Sequence, residues 1–197
     1  GNLLSQLTKT KVVNQFRQND LDHGGQGAPL TPIFHFLISG ILKTKFNLDF
    51  PMKIINIGGI TNVTQIKINN SVNENLFAYD IAPGNCLIDE WIRKNSNKKF
   101  DFNGDIASSG KVNNLILNQT IDNFSIKDLN NSLDVKNFDI SFARGLSLED
   151  GCATITKYTA YLISEGLKKI DETNKLKTTN LYLCGGGRKN KTLIKNI

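Results

Sequence analysis

The residues best placed to do chemistry are one carboxylate and several sets of glycines. Asp80 follows the apolar run Leu76-Phe77-Ala78-Tyr79 and precedes Ala82-Pro83-Gly84-Asn85. A carboxylate between a buried strand and a Pro-Gly turn projects into a cleft, where it can take a proton from a hydroxyl or from water. The position equally suits an Asp that bonds its own backbone in the turn, and the residues alone leave both readings open. Glycines recur at three junctions: Asn56-Ile57-Gly58-Gly59 with Asn62, Pro83-Gly84-Asn85, and Cys184-Gly185-Gly186-Gly187 with Asn190. Glycine at the carboxyl end of a strand lets the backbone approach a ligand closely, and the amides there can cradle phosphate. None of the three matches the Walker lysine loop or Gly-x-Gly-x-x-Gly. A further loop, Gly24-Gly25-Gln26-Gly27-Ala28-Pro29, has Arg17 and Asp20 just upstream. Arg17 offers a planar fork to a carboxylate or phosphate, or else pairs with Asp20 at the surface. Gln26 can donate to a sugar hydroxyl or brace the loop.

Positioning these groups requires strands that end at the glycines. Residues 52–57 read as a buried strand, 63–68 as a half-exposed one by their alternation, and 76–79 as a third short strand. Residues 180–184 form a fourth that runs into Gly185. Between them the spacing of Phe34, Leu37, Ile38 and Ile41 predicts a helix over 32–43, with Pro32 suited to its first turn. Leu87, Ile88, Trp91 and Ile92 predict another, with Asp89 and Glu90 near its start. Ser147-Leu148-Glu149-Asp150 opens a third, whose face of Cys152, Ile155, Thr159, Leu162, Ile163, Leu167 and Ile170 should pack along a sheet. Asn190, Leu193 and Ile194 begin a last one. Residues 1–13 read as a short helix running into extended Val12-Val13, and 17–20 as the start of a polar segment. The stretch 95–145 reads as irregular surface with one short helix near 112–117. Alternating strands and helices make the class α/β, and such sheets bind ligands outside the carboxyl ends of their strands.

Composition narrows the partner. The 197 residues carry 39% hydrophobic content, enough for one domain with a real core. The net charge of +6 comes from 20 Lys and only four Arg, spread along the chain with acids between them. That distribution lacks the one-sided Arg and aromatic cluster of a nucleic-acid surface, so no nucleic-acid partner is expected. Three cysteines without a Cys-x-x-Cys, and two histidines without a neighbouring thiol, give neither a disulfide framework nor a structural zinc site, and no metal-ligating residues are assigned. His35 reads as a packing residue, and Cys86 and Cys184 as small core thiols. No apolar run reaches the roughly 20 residues of a membrane span, which leaves the cytoplasm as the expected location. A chain opening on Gly1 and closing on Ile197 within an amphipathic stretch is expected to be a piece of something longer.

Taken in order, several segments resemble the anhydro-N-acetylmuramic acid kinase family. They are Phe16-Arg17, Gly24 to Leu30 with Pro32 and Phe34-His35, Asn56 to Gly59 with Asn62, Tyr79-Asp80 with Pro83-Gly84-Asn85 and Asp89 to Ile92, and Cys184 to Gly187 with Asn190. Ser109 to Asn113 and Leu146 to Asp150 are similar to that family too. The resemblance implies a ribonuclease-H-like, actin-like ATPase lobe with a mixed sheet and flanking helices, truncated at both ends. Residues 1–15 would end a first lobe or connect the two, and 16–197 would form a second, sugar- and nucleotide-binding lobe, incomplete at its C-terminus. Family members open the 1,6-anhydro bond of the murein sugar with water and phosphorylate O6, giving N-acetylmuramic acid 6-phosphate. The resemblance implies Asp80 as the general base and Arg17, Asp20 and Gln26 toward the sugar. It implies Asn56, Gly58, Gly59 and Asn62 toward the ATP phosphates, and Gly185, Gly186 and Gly187 against the adenosine. ATP with magnesium (Mg2+) is the implied cosubstrate, an amino sugar the partner, and a homodimer of the full-length protein is left open.

Departures from the family pattern frame the alternative. The family's opening phosphate hairpin and its C-terminal glutamate toward the sugar have no counterpart here. Gln15 stands where Asp is common, Gln18 and Asn19 where Arg is common, and Asn131 and Val135 where Lys and Arg are expected. The rival reading is therefore a nucleotide- or sugar-binding lobe without turnover, or a kinase for a different amino sugar.

Overall fold

A computed structural model describes residues 1–25, 27–67, 76–123, 133–175 and 180–197. Four strands form one mixed sheet: β1 (Met52–Ile57), β2 (Ile60–Ile66), β3 (Leu76–Pro83) and β4 (Asn180–Cys184), in the order β3-β2-β1-β4. β2 is antiparallel to both β1 and β3, while β4 is parallel to β1. Strands β1, β3 and β4 therefore run the same way, and their carboxyl ends share one edge. β1 is buried along most of its length, with apolar residues on both faces, so its pattern does not alternate.

One face of the sheet carries Ile55, Ile57 and Val63 beneath α4 (Cys86–Asn95) and α7 (Leu148–Asn174). The N-cap predicted for α7 is present, with Ser147 Oγ accepting from the Asp150 amide at 3.1 Å. Every residue of its predicted inner face is buried. Its outer sides are covered as well, by α5 (Asp105–Ser109), α6 (Asn114–Asp122) and α8 (Lys191–Asn196). Trp91 fixes α4 to this helix by donating its indole N–H to the Leu148 carbonyl at 2.9 Å.

The stretch 95–145 is thus not irregular surface where it is described. Ala107, Leu117, Ile140 and Ala143 enter the main core, carried by α5, α6 and the turn Ser141–Ala143. These elements are one to three turns long and owe their stability to α7, so their sequences show little periodicity of their own.

The opposite face carries Met52, Ile54 and Ile66, with Phe36 of α3 (Pro32–Phe46) packed against them. His35 is buried there, its Nδ1 hydrogen bonded to Thr64 Oγ1 at 2.8 Å, and burial holds its pKa below the ordinary histidine value. It is a packing residue, as its spacing predicts. Two short helices precede α3: α1 (Asn2–Thr8) and α2 (Phe16–Asp22). The second occupies the start of the segment read as polar. β3 continues past Tyr79 to Pro83, which puts Asp80 inside the strand rather than after it. Ile68, taken as the end of the second strand, lies outside the described residues. Among the described residues no helix is long and apolar enough to cross a membrane.

Candidate active site

Strand register brings together side chains that are distant in sequence. Asn56 of β1 pairs with Asn62 of β2, Asn62 pairs with Asp80 of β3, and Asn56 pairs on its other side with Cys184 of β4. Residues paired across a sheet share a face, so Asp80, Asn62, Asn56 and Cys184 form one row. Neighbouring strands lie about 4.8 Å apart, so the row places Asp80 roughly 10 Å from Asn56. It crosses the α3 face beyond the apolar strip of Met52, Ile54 and Ile66, at the end where the glycine turns lie. A bulge opposite Thr61 and Asn62 makes the ladder skip Ile81, which turns into the core at 4% exposure while Asp80 stays in the row. Bulges commonly re-aim a side chain in this way beside a site.

Asp80 is half-buried. Burial pushes its carboxyl above the usual range, opposed by the Leu133 amide, which donates to Oδ2 at 3.0 Å, and by the charge of Arg17. Arg17 reaches this neighbourhood from α2, and among the described residues it forms no ion pair with Asp20. Asp20 is otherwise engaged. Its Oδ2 accepts from the Gly27 amide at 2.7 Å and its carbonyl from the Gly25 amide at 2.8 Å, so it holds the glycine loop against α2. Gln26, assigned to the sugar, lies outside the described residues. Gln15, Gln18 and Asn19 are exposed, and Gln18 is tied along α2 to Asp22 at 2.7 Å.

The three glycine junctions converge on the shared strand edge. The Gly84 amide donates to the Gly59 carbonyl at 2.8 Å, and the Asn85 amide to the Gly58 carbonyl at 2.7 Å. A Cβ on Gly84 would stand 2.3 Å from the Gly58 carbonyl oxygen. On Gly187 it would stand 2.3 Å from Ile57 Cγ2. These glycines let the turns nest. Gly59 and Gly186 differ, being exposed, with nothing within 4 Å of a Cβ on Gly59 and only Asn85 Nδ2 at 3.7 Å for Gly186. At these two the backbone is open to a ligand. Beside Gly186 lies a cavity of about 430 Å3 lined by Asn85, Ile88, Asp89, Phe100, Phe102 and Asn190, among others. Burial raises the Asp89 carboxyl, with Asp101 adding to the shift and Arg93 opposing it. Asn190 caps α8 through its side chain, which accepts from the Leu193 amide at 2.9 Å.

Burial raises all three cysteine thiols, Cys152 furthest and with the Asp101 carboxylate adding to it, which makes none of them a nucleophile. Among the described residues no group of three or more His, Cys, Asp or Glu is placed to hold a metal ion. What sequence reasoning missed is the grouping. Leu133 lies 53 residues from Asp80 and carries no local signal, since it acts through its backbone. The Asn56–Asn62 pairing was readable, because a hairpin centred on Gly59 puts the two opposite each other.

The molecule is thus an α/β protein with a row of polar side chains toward the carboxyl edge of its sheet, beside nested glycine turns and within the field of Arg17. A model of the anhydro-N-acetylmuramic acid kinase family matches residues 1–197, and the chain belongs to that family. A protein of Pelagibacter ubique (strain HTCC1062) named anhydro-N-acetylmuramic acid kinase is 44% identical over 201 residues, spanning all of this chain and 52% of its own length. Proteins of the same name from Zymomonas mobilis and Agrobacterium fabrum are 34% and 35% identical over 198 residues, with 51% and 50% of their lengths covered. The chain spans about half the length of the curated relatives it matches.

Proposed function

We propose that the full-length protein is an ATP-dependent kinase that opens 1,6-anhydro-N-acetylmuramic acid with water and phosphorylates O6, yielding N-acetylmuramic acid 6-phosphate in cytoplasmic recycling of cell-wall sugar. The observation that carries this reading is the cross-strand row of Asp80, Asn62 and Asn56 beside the nested glycine turns at the carboxyl edge of the sheet. Asp80 and the turn carrying the open Gly59 lie toward the same carboxyl edge, and a reaction joining water attack to phosphoryl transfer needs its groups held together in this way.

In this reading Asp80 takes a proton from water as its oxygen bonds to the anomeric carbon and the bond from that carbon to O6 breaks. The released O6 bonds to the γ-phosphorus while the bond to ADP breaks. Arg17 and the loop braced by Asp20, with Gln26 in it, face the sugar. Asn56, Gly58, Gly59 and Asn62 face the phosphates, where open amides stabilise charge as it moves. Gly185, Gly186 and Gly187 lie against the adenosine, and the cavity beside Gly186 supports that assignment. The described residues offer no metal cage. Magnesium, bound with ATP, would neutralise the phosphate charge during transfer.

The lobe is the ribonuclease-H-like, actin-like ATPase type, supported by the mixed sheet with helices on both faces and glycine turns at one edge. Residues 1–15 form the connection to the other lobe, and 16–197 the sugar- and nucleotide-binding lobe. The test is to incubate the full-length protein, with its natural flanking sequence, with ATP, magnesium and 1,6-anhydro-N-acetylmuramic acid, and to follow ADP and the 6-phosphate. Asp80→Asn should lower turnover at least a thousandfold, approximately the scale of losing an essential base. A protein that binds ATP yet makes no product from this sugar would leave the non-catalytic lobe, or another amino sugar, as the better reading.

A further inference from the structure

We propose that the backbone amide of Leu133 is a positioning group for the base: by donating to Asp80 Oδ2 at 3.0 Å it fixes the carboxylate's rotation and leaves Oδ1 as the oxygen that receives the proton. The inference rests on the kinase reading for its role and on geometry for the contact itself.

A lone aspartate on a strand has a broad torsion about its last bond, so either oxygen can face a reactant. An N–H held on one oxygen removes that freedom. The donor is itself firmly mounted. Leu133 leads into the turn Val135–Asn137, whose Val135 carbonyl accepts from the Phe138 amide at 3.2 Å, and Asp134 Oδ1 accepts from the Lys136 amide at 3.0 Å. Immediately beyond, Phe138 packs on the main core and Ile140 is buried at 4% exposure. The amide is thus tied to the same core that carries β3.

Among the described residues, Arg17 of α2, Asn62 of the neighbouring strand and this amide act on Asp80. Of these only Arg17 is charged, and it is exposed, so solvent and salt screen it. The amide cannot titrate and is not screened in the same way. It works with Arg17 against the burial of Asp80, both favouring the ionised carboxylate.

The decisive experiment measures kcat against pH for the full-length protein carrying Leu133→Pro, which removes the N–H, beside Leu133→Ala, which keeps it. A base works when ionised, so its rate falls as pH drops through its pKa, and losing the donor raises that pKa. In Leu133→Pro the acidic limb should move up by about one pH unit and the plateau should fall about tenfold, with KM for ATP unchanged. Leu133→Ala should track the parent. A folded Leu133→Pro with an unmoved limb, or an equal shift in Leu133→Ala, overturns the proposal. Hydrogen exchange covers the case in which the proline variant does not fold. In Asp80→Ala the Leu133 amide should exchange about tenfold faster than in the parent, and unchanged protection there also overturns it. Absence of the 6-phosphate product with the parent protein defeats the kinase reading instead, and the exchange measurement still decides the contact.

Discussion

Two polar clusters sit on the same four strands, and they differ in where their partners come from. On the α7 face, at the amino end of β1, Lys53 is buried at 1% side-chain exposure with Asp171 of α7 2.5 Å away. Gln65, opposite Lys53 on β2, accepts from the Asn174 side chain, whose own oxygen accepts from the Tyr79 hydroxyl at 3.3 Å. Each of these polar atoms is answered by another part of the protein. On the α3 face, at the carboxyl edge, Asp80 is answered by one amide and by the field of an exposed Arg17, and Asn62 beside it makes no side-chain hydrogen bond among the described residues. The first cluster closes the sheet onto its longest helix. The second leaves hydrogen-bonding capacity unused at the sheet edge, which is what a substrate site needs and a stable core avoids.

The contrast is sharpest in the consequences of removing one charge. Asp171→Asn strands the Lys53 ammonium in the core, which should cost about 3 kcal/mol. Lys53→Met should cost less, about 1 kcal/mol, because Asp171 is 33% exposed and water can take over its solvation. Urea titration of the full-length protein reads both, and turnover per folded molecule should stay within about twofold of the parent. Equal costs would mean that Lys53 is not the buried partner, and a large turnover loss would mean that the two clusters are not separate.

The glycines at the carboxyl edge divide along the same line. Gly84→Ala brings a methyl to 2.3 Å from the Gly58 carbonyl oxygen and should lose about 2 kcal/mol of stability. Gly59→Ala meets nothing within 4 Å, so its stability should change by no more than about 0.5 kcal/mol. Its effect belongs to the ligand instead. ATP affinity by calorimetry should fall about tenfold as the methyl occupies the open backbone. A Gly59→Ala protein with parental ATP affinity removes this turn from the phosphate site.

Much of this arrangement was legible in the residues. Strands ending at Gly58 and Gly185, the capped helix from Ser147 and the packing role of His35 follow from local pattern, because each is decided by neighbours close in sequence. The glycines did not reveal which of them serve nesting and which stay open, since that depends on the turn packed opposite. Asp80 stood out, but its register with Asn62, the bulge that skips Ile81 and the donor from Leu133 all depend on pairing across tens of residues. Lys53 shows the limit from the other side. A lysine within an apolar strand signals burial with a partner, yet nothing near it in sequence points to Asp171 over a hundred residues away.

The smallest effect tests the contrast most directly, because it asks what Asp80 does for the fold itself. Burial raises its folded pKa, so the stabilising contribution of the protonated carboxyl is present below the unfolded value and lost as pH rises through the folded one. Ionisation of Asp80 works against that preference, and the Leu133 amide and the charge of Arg17 favour it. Asp80→Asn keeps an oxygen for the Leu133 amide and removes the charge, so Tm at neutral pH should rise by about 2 °C while turnover collapses. As pH falls through the folded pKa the difference in Tm should shrink toward zero, since the parent carboxyl then becomes protonated. The opposite result, a Tm that falls at neutral pH and recovers in acid, would make Asp80 a paired structural carboxylate of the same kind as Asp171. The distinction between a cluster closed on itself and one left open for chemistry would then fail at its central residue.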